Sequence, residues 1–401
     1  MTVTIKKSTA CGTVAAPPSK SAAHRALICG ALTAGSKIEN IDYSNDISAT
    51  LDCLEALGAS IEKTDNGVTL CGLDPFESKG VTLDCRESGS TLRFMIPLCM
   101  LSGSEITLTG SNRLFARNLE IYEQIAKRNG ILFQKGEGSL TVCGRLKSGG
   151  YRVAGNISSQ FISGMLFALP LLDGDSVLEI TGDYESEPYV DLTLKSLRDF
   201  GMKIEKSGRI YKIIGNQKYT AKNITVEGDY SNAAFLDGFN LIGGNVTVTG
   251  LDADSLQGDR IYRQMYEGLK NGKKHFDLSN CPDLAPVMFA LSAVFGGAEF
   301  TGTRRLKIKE SDRACAMASE LKKFGIDVDV LENSVTVHKG KLQEPSETLF
   351  GHNDHRIVMA LSLLCTLTGG SISDAQAVAK SYPDYFEKIK SLGIVVENEF
   401  E

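Results

Sequence analysis

The sequence predicts an α/β (α+β) chain of two similar domains, each made of three repeats packed around buried helices. Three observations carry that prediction. A small-residue turn, a short alternating strand, an amphipathic helix ending at Gly or Asn-Gly, and a further short strand recur six times. Ahead of each copy lies a helix-length run that is apolar nearly all round, which marks it as buried. The 401 residues are enough for two or three domains with substantial cores.

In chain order the copies run over Gly35–Glu62, Gly103–Gln134, Gly174–Glu205, Gly243–Phe276, Gly296–Asp329 and Gly369–Glu397. The first shows the ending plainly, with Leu57-Gly58-Ala59 closing a helix before a new strand. The apolar helices follow Pro17, Glu87, Asn156, Gly228, Asn280 and Gly351; Phe161–Leu172, Leu284–Phe295 and Ile357–Leu367 are typical. The units divide three and three, giving one domain over 14–227 and a second over 1–13 with 228–401. Val3–Thr13 is left over as a strand that pairs with the second half. No long linker marks the border, so two short strands are expected to cross it. A ligand site is expected in the cleft between the domains.

Composition narrows the function. Hydrophobic residues make up 42% and charged residues 23%, ordinary for a soluble globular protein. The formal net charge of −6 offers no whole-molecule footprint for nucleic acid or an anionic membrane, so any anion must be caught locally. Met1–Gly12 carries two lysines and no apolar h-region, and no run approaches the roughly 18 apolar residues of a membrane span. The ten cysteines are scattered without close pairs, several of them in apolar runs, as Cys29, Cys99 and Cys365 are. They read as reduced thiols in a cytoplasmic protein.

Each buried helix opens with polar residues: Ser19-Lys20-Ser21, Ser88-Gly89-Ser90, Ser158-Ser159-Gln160, Asp229-Tyr230-Ser231-Asn232, Pro282-Asp283 and Asn353-Asp354-His355-Arg356. Helix capping alone accounts for any one of them. Their number points further, because a buried helix N-terminus offers free N–H groups and a positive dipole end to an anion. Arg304-Arg305-Leu306-Lys307-Ile308-Lys309-Glu310-Ser311-Asp312-Arg313 puts five cations within ten residues of an acidic chain. Alone it reads as a solvated turn. If the segment after Ser311 is helical, Lys309 and Arg313 lie one turn apart near its start, with Glu310 placed beside both to exchange protons with a bound anion. Together with Lys20, Arg25 and Arg356, these groups imply a ligand with more than one anionic group.

Other chemistries lack their motifs. Gly30–Lys37 and Gly268–Lys274 have the wrong order or spacing for a phosphate loop, and no dinucleotide fingerprint follows a strand. His352 and His355 lack the four-residue spacing of helical metal ligands, no Cys-x-x-Cys pair exists, and no nucleophile elbow is present. No metal and no organic cofactor is expected.

Six motifs in order carry a resemblance: Pro17-Pro18-Ser19-Lys20-Ser21, Ser88-Gly89-Ser90-Thr91-Leu92-Arg93, Ser158-Ser159-Gln160-Phe161, Lys309-Glu310-Ser311-Asp312-Arg313, Asn353-Asp354-His355-Arg356 and Lys380-Ser381-Tyr382-Pro383-Asp384-Tyr385-Phe386. Over essentially its whole length the chain resembles the enolpyruvyl transferases, and within them the 5-enolpyruvylshikimate-3-phosphate synthase family. The resemblance implies two domains of three βαβαββ units each, related by pseudo-threefold symmetry and closing on the first substrate. It implies transfer of the enolpyruvyl group of phosphoenolpyruvate to the 5-hydroxyl of shikimate 3-phosphate, with release of phosphate, on the route to chorismate and aromatic amino acids. Position by position, Glu310 and Lys20 match the proton-transfer groups at phosphoenolpyruvate, and Asp283 the carboxylate that binds the shikimate hydroxyls and accepts a proton. Ser21, Arg25, Ser158, Ser159, Ser186 and Tyr189 match the shikimate 3-phosphate contacts, with Lys309 at its ring and Gln160 touching both substrates. Gly89, Arg117, Arg313, Arg356 and Lys380 match the phosphoenolpyruvate site. Nucleic acid, membrane and partner chains are not implied, and the expected state is a monomer.

The residues themselves leave bland alternatives for Asp283 as a helix cap, for Tyr189 as packing, and for Arg113 in place of Arg117. Glu87 stands where many members have Asn, and Arg305 where some use Asn toward the substrate; Arg305 is left out of the site. Gly89 sits at the position linked in the family to glyphosate competition, so inhibition by glyphosate is expected. The sister enzymes that act on UDP-N-acetylglucosamine carry a cysteine in the loop matching Gly110–Asn118, which here has none. A binding protein of the same fold that has lost its chemistry is the remaining rival.

Overall fold

The computed structural model describes residues 1–399. Its contacts divide the chain into two compact units, Pro18–Glu227 and Met1–Pro17 with Gly228 onward. The border falls at Pro17 and not at Thr13, because Cys11–Ala15 is a strand that pairs in parallel with Asn245–Thr249 of the second unit. Thr2–Ile5 lies in that unit too, between Gly370–Ser373 and Val396–Glu399 and antiparallel to both. The leftover N-terminal segment is thus two strands in two different sheets.

In the Pro18–Glu227 unit the repeat is a four-stranded sheet with one parallel pair and an antiparallel hairpin. One copy shows the order. Thr82–Asp84 leads into the Gly89–Ser102 helix, then Ile106–Thr109, the Glu120–Asn129 helix, and the hairpin Leu132–Gly136 with Ser139–Cys143. That is βαβαββ. The copy starting at Gly150–Ala154 repeats it in full. The copy holding Lys20–Ala31 takes its first strand, Ile224–Thr225, from the far end of the unit. In the other unit two of the three copies have four strands, but the third stops at the pair Cys11–Ala15 and Asn245–Thr249. The strand expected to close it, His275–Asp277, instead pairs in parallel with Ala298–Thr301 and opens the next copy.

Each unit has one core, built on three helices that are buried on nearly every side. Lys20–Ala31, Gly89–Ser102 and Ser159–Ala168 serve one; Tyr230–Leu241, Ala285–Val294 and His355–Thr368 serve the other. Each fully buried Leu, Ile or Phe contributes roughly 1.5–3 kcal/mol. Close packing of two of these helices is specified in detail. Pro97 inside the Gly89–Ser102 helix has no N–H to give to the Arg93 carbonyl one turn back, and Tyr122 Oη donates to that carbonyl instead at 2.7 Å. A Cβ on Gly164 of the facing helix would lie 2.6 Å from the same carbonyl oxygen, so only glycine permits this approach.

Candidate active site

Five of the six buried helices start as the sequence suggests: Ser19, Ser88, Ser158, Asp229 and Asp354 each accept a backbone N–H with the side chain. The sixth differs. The Ala285–Val294 helix has Leu284 at its cap and no side-chain cap bond, and Asp283 sits one residue earlier in a 3-10 turn. Asp283 therefore has another occupation. Its Oδ1 accepts from Lys309 Nζ at 3.2 Å and Arg313 Nη1 at 2.6 Å, and its Oδ2 from Arg356 Nη2 at 3.1 Å.

Arg313 organises this cluster. It is the first residue of the Arg313–Lys323 helix and 1% exposed, and its three nitrogens reach three carboxylates. Nη1 goes to Asp283, Nη2 to Glu310 Oε2 at 2.7 Å, and Nε to Asp354 Oδ2 at 2.9 Å. Lys309 does not lie one helical turn from it, since Lys309 is extended and precedes the helix; the two meet through Asp283. Lys380 reaches the same region by donating to the Asn353 carbonyl at 2.6 Å. Four cations thus stand with three carboxylates. Arg356 gives Nη2 to Asp283 and to Ser231 Oγ at 2.9 Å, while its buried Nε and Nη1 have no hydrogen-bond partner among the described residues. Buried donors of this kind are costly unless something accepts from them.

The electrostatics follow from these contacts. Burial alone would raise the Asp283 carboxyl, but Arg356, Lys309 and Arg313 outweigh it and hold it well below the ordinary carboxylate range. Burial also lowers Lys309, partly offset by Asp283. Asp283 is accordingly an anion whose basicity is held down by its three cationic neighbours.

In the Pro18–Glu227 unit, Lys20 opens its helix with Nζ 2.8 Å from Asp46 Oδ2. Arg25, one turn further on and 3% exposed, donates to the carbonyls of Ser21 and Tyr189 at 2.6 and 2.8 Å and to Thr193 Oγ1 at 2.8 Å. None of these partners is a carboxylate. Burial lowers its pKa to about 10, so it remains a cation at neutral pH without a counter-ion among those contacts. Tyr189 contributes its backbone carbonyl here. Ser186 is buried and left-handed at φ 56°, a conformation uncommon outside glycine.

Gln160 joins two helix starts, accepting from Arg93 Nη1 at 2.7 Å and donating to Ser90 Oγ at 2.9 Å. Ser158 caps the helix and Ser159 is buried at its first turn. Arg117 lies against Gly89, where a Cβ would come within 2.7 Å of its Nη1; Arg113 is exposed. Glu87 is half-buried just before this helix. Arg305, left aside by the sequence reading, is buried and donates to the Ser279 carbonyl.

Three residues near these groups escaped the sequence reading. Asp354 and Arg93 lay inside quoted motifs but looked like a cap and a helix residue, and Asp46 follows the Ser44 cap of the Asn45–Ala56 helix with no signal beyond its charge. Among the described residues no cluster of three or more His, Cys, Asp or Glu is arranged to hold a metal, and no helix is long and apolar enough to cross a membrane.

The family model for EPSP synthase (3-phosphoshikimate 1-carboxyvinyltransferase) matches residues 5–389. The chain belongs to the EPSP synthase family. Relatives named 3-phosphoshikimate 1-carboxyvinyltransferase include those of Clostridium kluyveri, 43% identical with 95% of each chain covered, and Clostridium novyi, 40% identical with 96% of each covered. The fold is that of the Acinetobacter baumannii EPSP synthase, with TM-score 0.79 at 23% identity and 99% of each chain covered. It is also that of the enolpyruvyl transferase NikO from Streptomyces tendae, with TM-score 0.75 at 16% identity over 99% of this chain and 98% of that one. As a member of this family the chain is a transferase.

Proposed function

We propose that this EPSP synthase family member transfers the enolpyruvyl group of phosphoenolpyruvate to the 5-hydroxyl of shikimate 3-phosphate, releasing phosphate. The observation that carries the reading is the Asp283 cluster, in which an acceptor carboxylate, a candidate proton carrier and unpartnered guanidinium donors meet within hydrogen-bond distance. The reaction needs a proton delivered to the methylene carbon, a proton taken from the hydroxyl, and strong stabilisation of negative charge. Glu310 and Lys20 handle the first and Asp283 the second. Arg117, Arg313, Arg356, Lys380 and the Gly89 backbone bind phosphoenolpyruvate; guanidinium forks suit its carboxylate and phosphate. Ser21, Arg25, Ser158, Ser159, Ser186, Tyr189 and Lys309 hold shikimate 3-phosphate, and Gln160 touches both.

The electrostatics give the order of events a physical basis. Anions that draw Arg356 and Arg313 away from Asp283 remove the charges that depress its basicity, so substrate binding itself turns Asp283 into a useful base. Arg25 is suited to a phosphate because it is a buried cation whose described partners are neutral. Arg25→Lys should raise the KM for shikimate 3-phosphate about 10- to 100-fold, the equivalent of the ~1.5–3 kcal/mol of a charged hydrogen bond. Steady-state kinetics in which the phosphoenolpyruvate KM rises instead would reassign Arg25.

Gly89→Ala would place a methyl group 2.7 Å from Arg117 Nη1 and 3.3 Å from Arg93 Nη1; both are ends of flexible side chains, and Arg117, the nearer, has to swing aside. The expected result is a folded enzyme with its phosphoenolpyruvate KM raised about tenfold and its shikimate 3-phosphate KM nearly unchanged, the loss of one ion-assisted contact. Glyphosate is expected to compete with phosphoenolpyruvate and to lose potency in the same variant; unchanged values would separate Arg117 from the site.

The deciding assay is phosphate release from phosphoenolpyruvate, with shikimate 3-phosphate in one reaction and UDP-N-acetylglucosamine in another. Release that depends on shikimate 3-phosphate supports the proposal. Release with the sugar nucleotide alone changes the acceptor, and silence in both removes the activity.

A further inference from the structure

Glu320 lies near the opposite end of the Arg313–Lys323 helix from Arg313 and is 2% exposed. No step of the proposed reaction uses it. Even so, its Oε2 accepts from Phe350 N at 2.9 Å and Lys323 Nζ at 3.0 Å, and its Oε1 from His352 Nε2 at 2.9 Å. A carboxylate can only accept, so His352 carries its proton on Nε2. Burial alone would raise the Glu320 carboxyl, and the bonds from His352, Phe350 and Lys323 bring it below its ordinary value.

The segment held in this way is an unusual one. His352 and Asn353 are consecutive non-glycine residues in the left-handed region, at φ 53° and 49°. Such conformations persist only where the surroundings impose them. Here Asn353 gives its N–H to Asp374 Oδ2 and takes Lys380 Nζ on its carbonyl. The next residue is Asp354, which fixes Arg313, and two further on is Arg356, which reaches Asp283. The turn is therefore the link between a buried distal carboxylate and the guanidinium groups.

We propose that the Glu320–His352 pair is a positioning latch: it holds the strained 352–353 turn in the conformation that sets Asp354 against Arg313 and Arg356 against Asp283. The inference rests on the enolpyruvyl-transfer reading, since it assigns the latched groups to phosphoenolpyruvate. His352→Gly is the sharpest test, because it removes the imidazole while making the left-handed conformation easy. If backbone strain were all that mattered, this variant would match the wild type. A latch predicts a phosphoenolpyruvate KM raised about tenfold, with the shikimate 3-phosphate KM within about twofold; thermal stability falls because buried Glu320 loses a partner, but the fold is kept. His352→Gln, whose amide can donate to Glu320, should return the phosphoenolpyruvate KM to within about twofold of wild type. An unchanged phosphoenolpyruvate KM in His352→Gly, or equal loss for both substrates, overturns the latch while leaving the activity in place. A wild-type control without turnover overturns the functional reading, and the latch with it.

Discussion

Glu310→Gln should lower kcat by about 10³-fold while leaving both KM values within about threefold of wild type. The reason lies in what the substitution keeps. Glu310 Oε2 accepts from Arg313 Nη2 at 2.7 Å, and a glutamine carbonyl oxygen can accept the same bond from the same position. Arg313 is further secured by Asp354 and Asp283, so it stays where it is. What is removed is the negative charge and with it the capacity to carry a proton, and positioned acid-base groups contribute typically 10²- to 10⁴-fold. Phosphate release at saturating substrates measures the effect, with binding followed separately. A binding protein that had lost its chemistry would show no turnover to lose. A loss of kcat below about tenfold would assign the proton transfer elsewhere, with Lys20 next in line.

Asp283→Asn should also reduce kcat by about 10²- to 10⁴-fold, and unlike Glu310→Gln it should destabilise the fold. Three cations converge on this carboxylate, whose side chain is 17% exposed. Removing one member of a largely buried ion cluster costs about 3 kcal/mol, because the remaining charges lose their partner. Denaturant unfolding with and without phosphoenolpyruvate tests this directly: an anion that engages Arg313 and Arg356 should restore part of the loss. The pH dependence has a defined sign. The Asp283 carboxyl is depressed in the folded state, so its contribution is complete above the unfolded value of about 3.9 and is lost as pH falls through the lower folded value. The asparagine variant should lack that acid-side loss. Equal stability of variant and wild type at pH 7 would mean that Asp283 is not what holds the cations together.

Much of this architecture was legible beforehand because it depends on local pattern. Apolar runs without a polar face can only be buried, and Ser or Asp before them can cap a helix, so the six core helices and five of their caps could be read from spacing alone. The N-terminal segment Val3–Thr13 could be read as a single strand pairing with the second half, but not as the two strands in two sheets that it forms. What failed were features set by partners far away in the chain. His275–Asp277 looks like the closing strand of its own repeat, and only its pairing with Ala298–Thr301 shows that it opens the next. Lys309 looks like a helical neighbour of Arg313, yet its backbone is extended.

The candidate site divides along the same line. By itself the sequence determined which residue types were available and in what order: cations beside helix starts, Glu310 between two of them, and motifs specific enough to indicate the family. Tertiary structure decided what each group does with its charge. Asp354 and Arg93 were visible as letters but not as the holders of Arg313 and Gln160, since the partners lie 41 and 67 residues away. Asp283 could equally have been a cap until the Ala285–Val294 helix proved to start without one. Local periodicity and capping are short-range and survive in one dimension. Basicity, by contrast, is set by which charges stand within a few ångströms, and that is known only when the chain has folded.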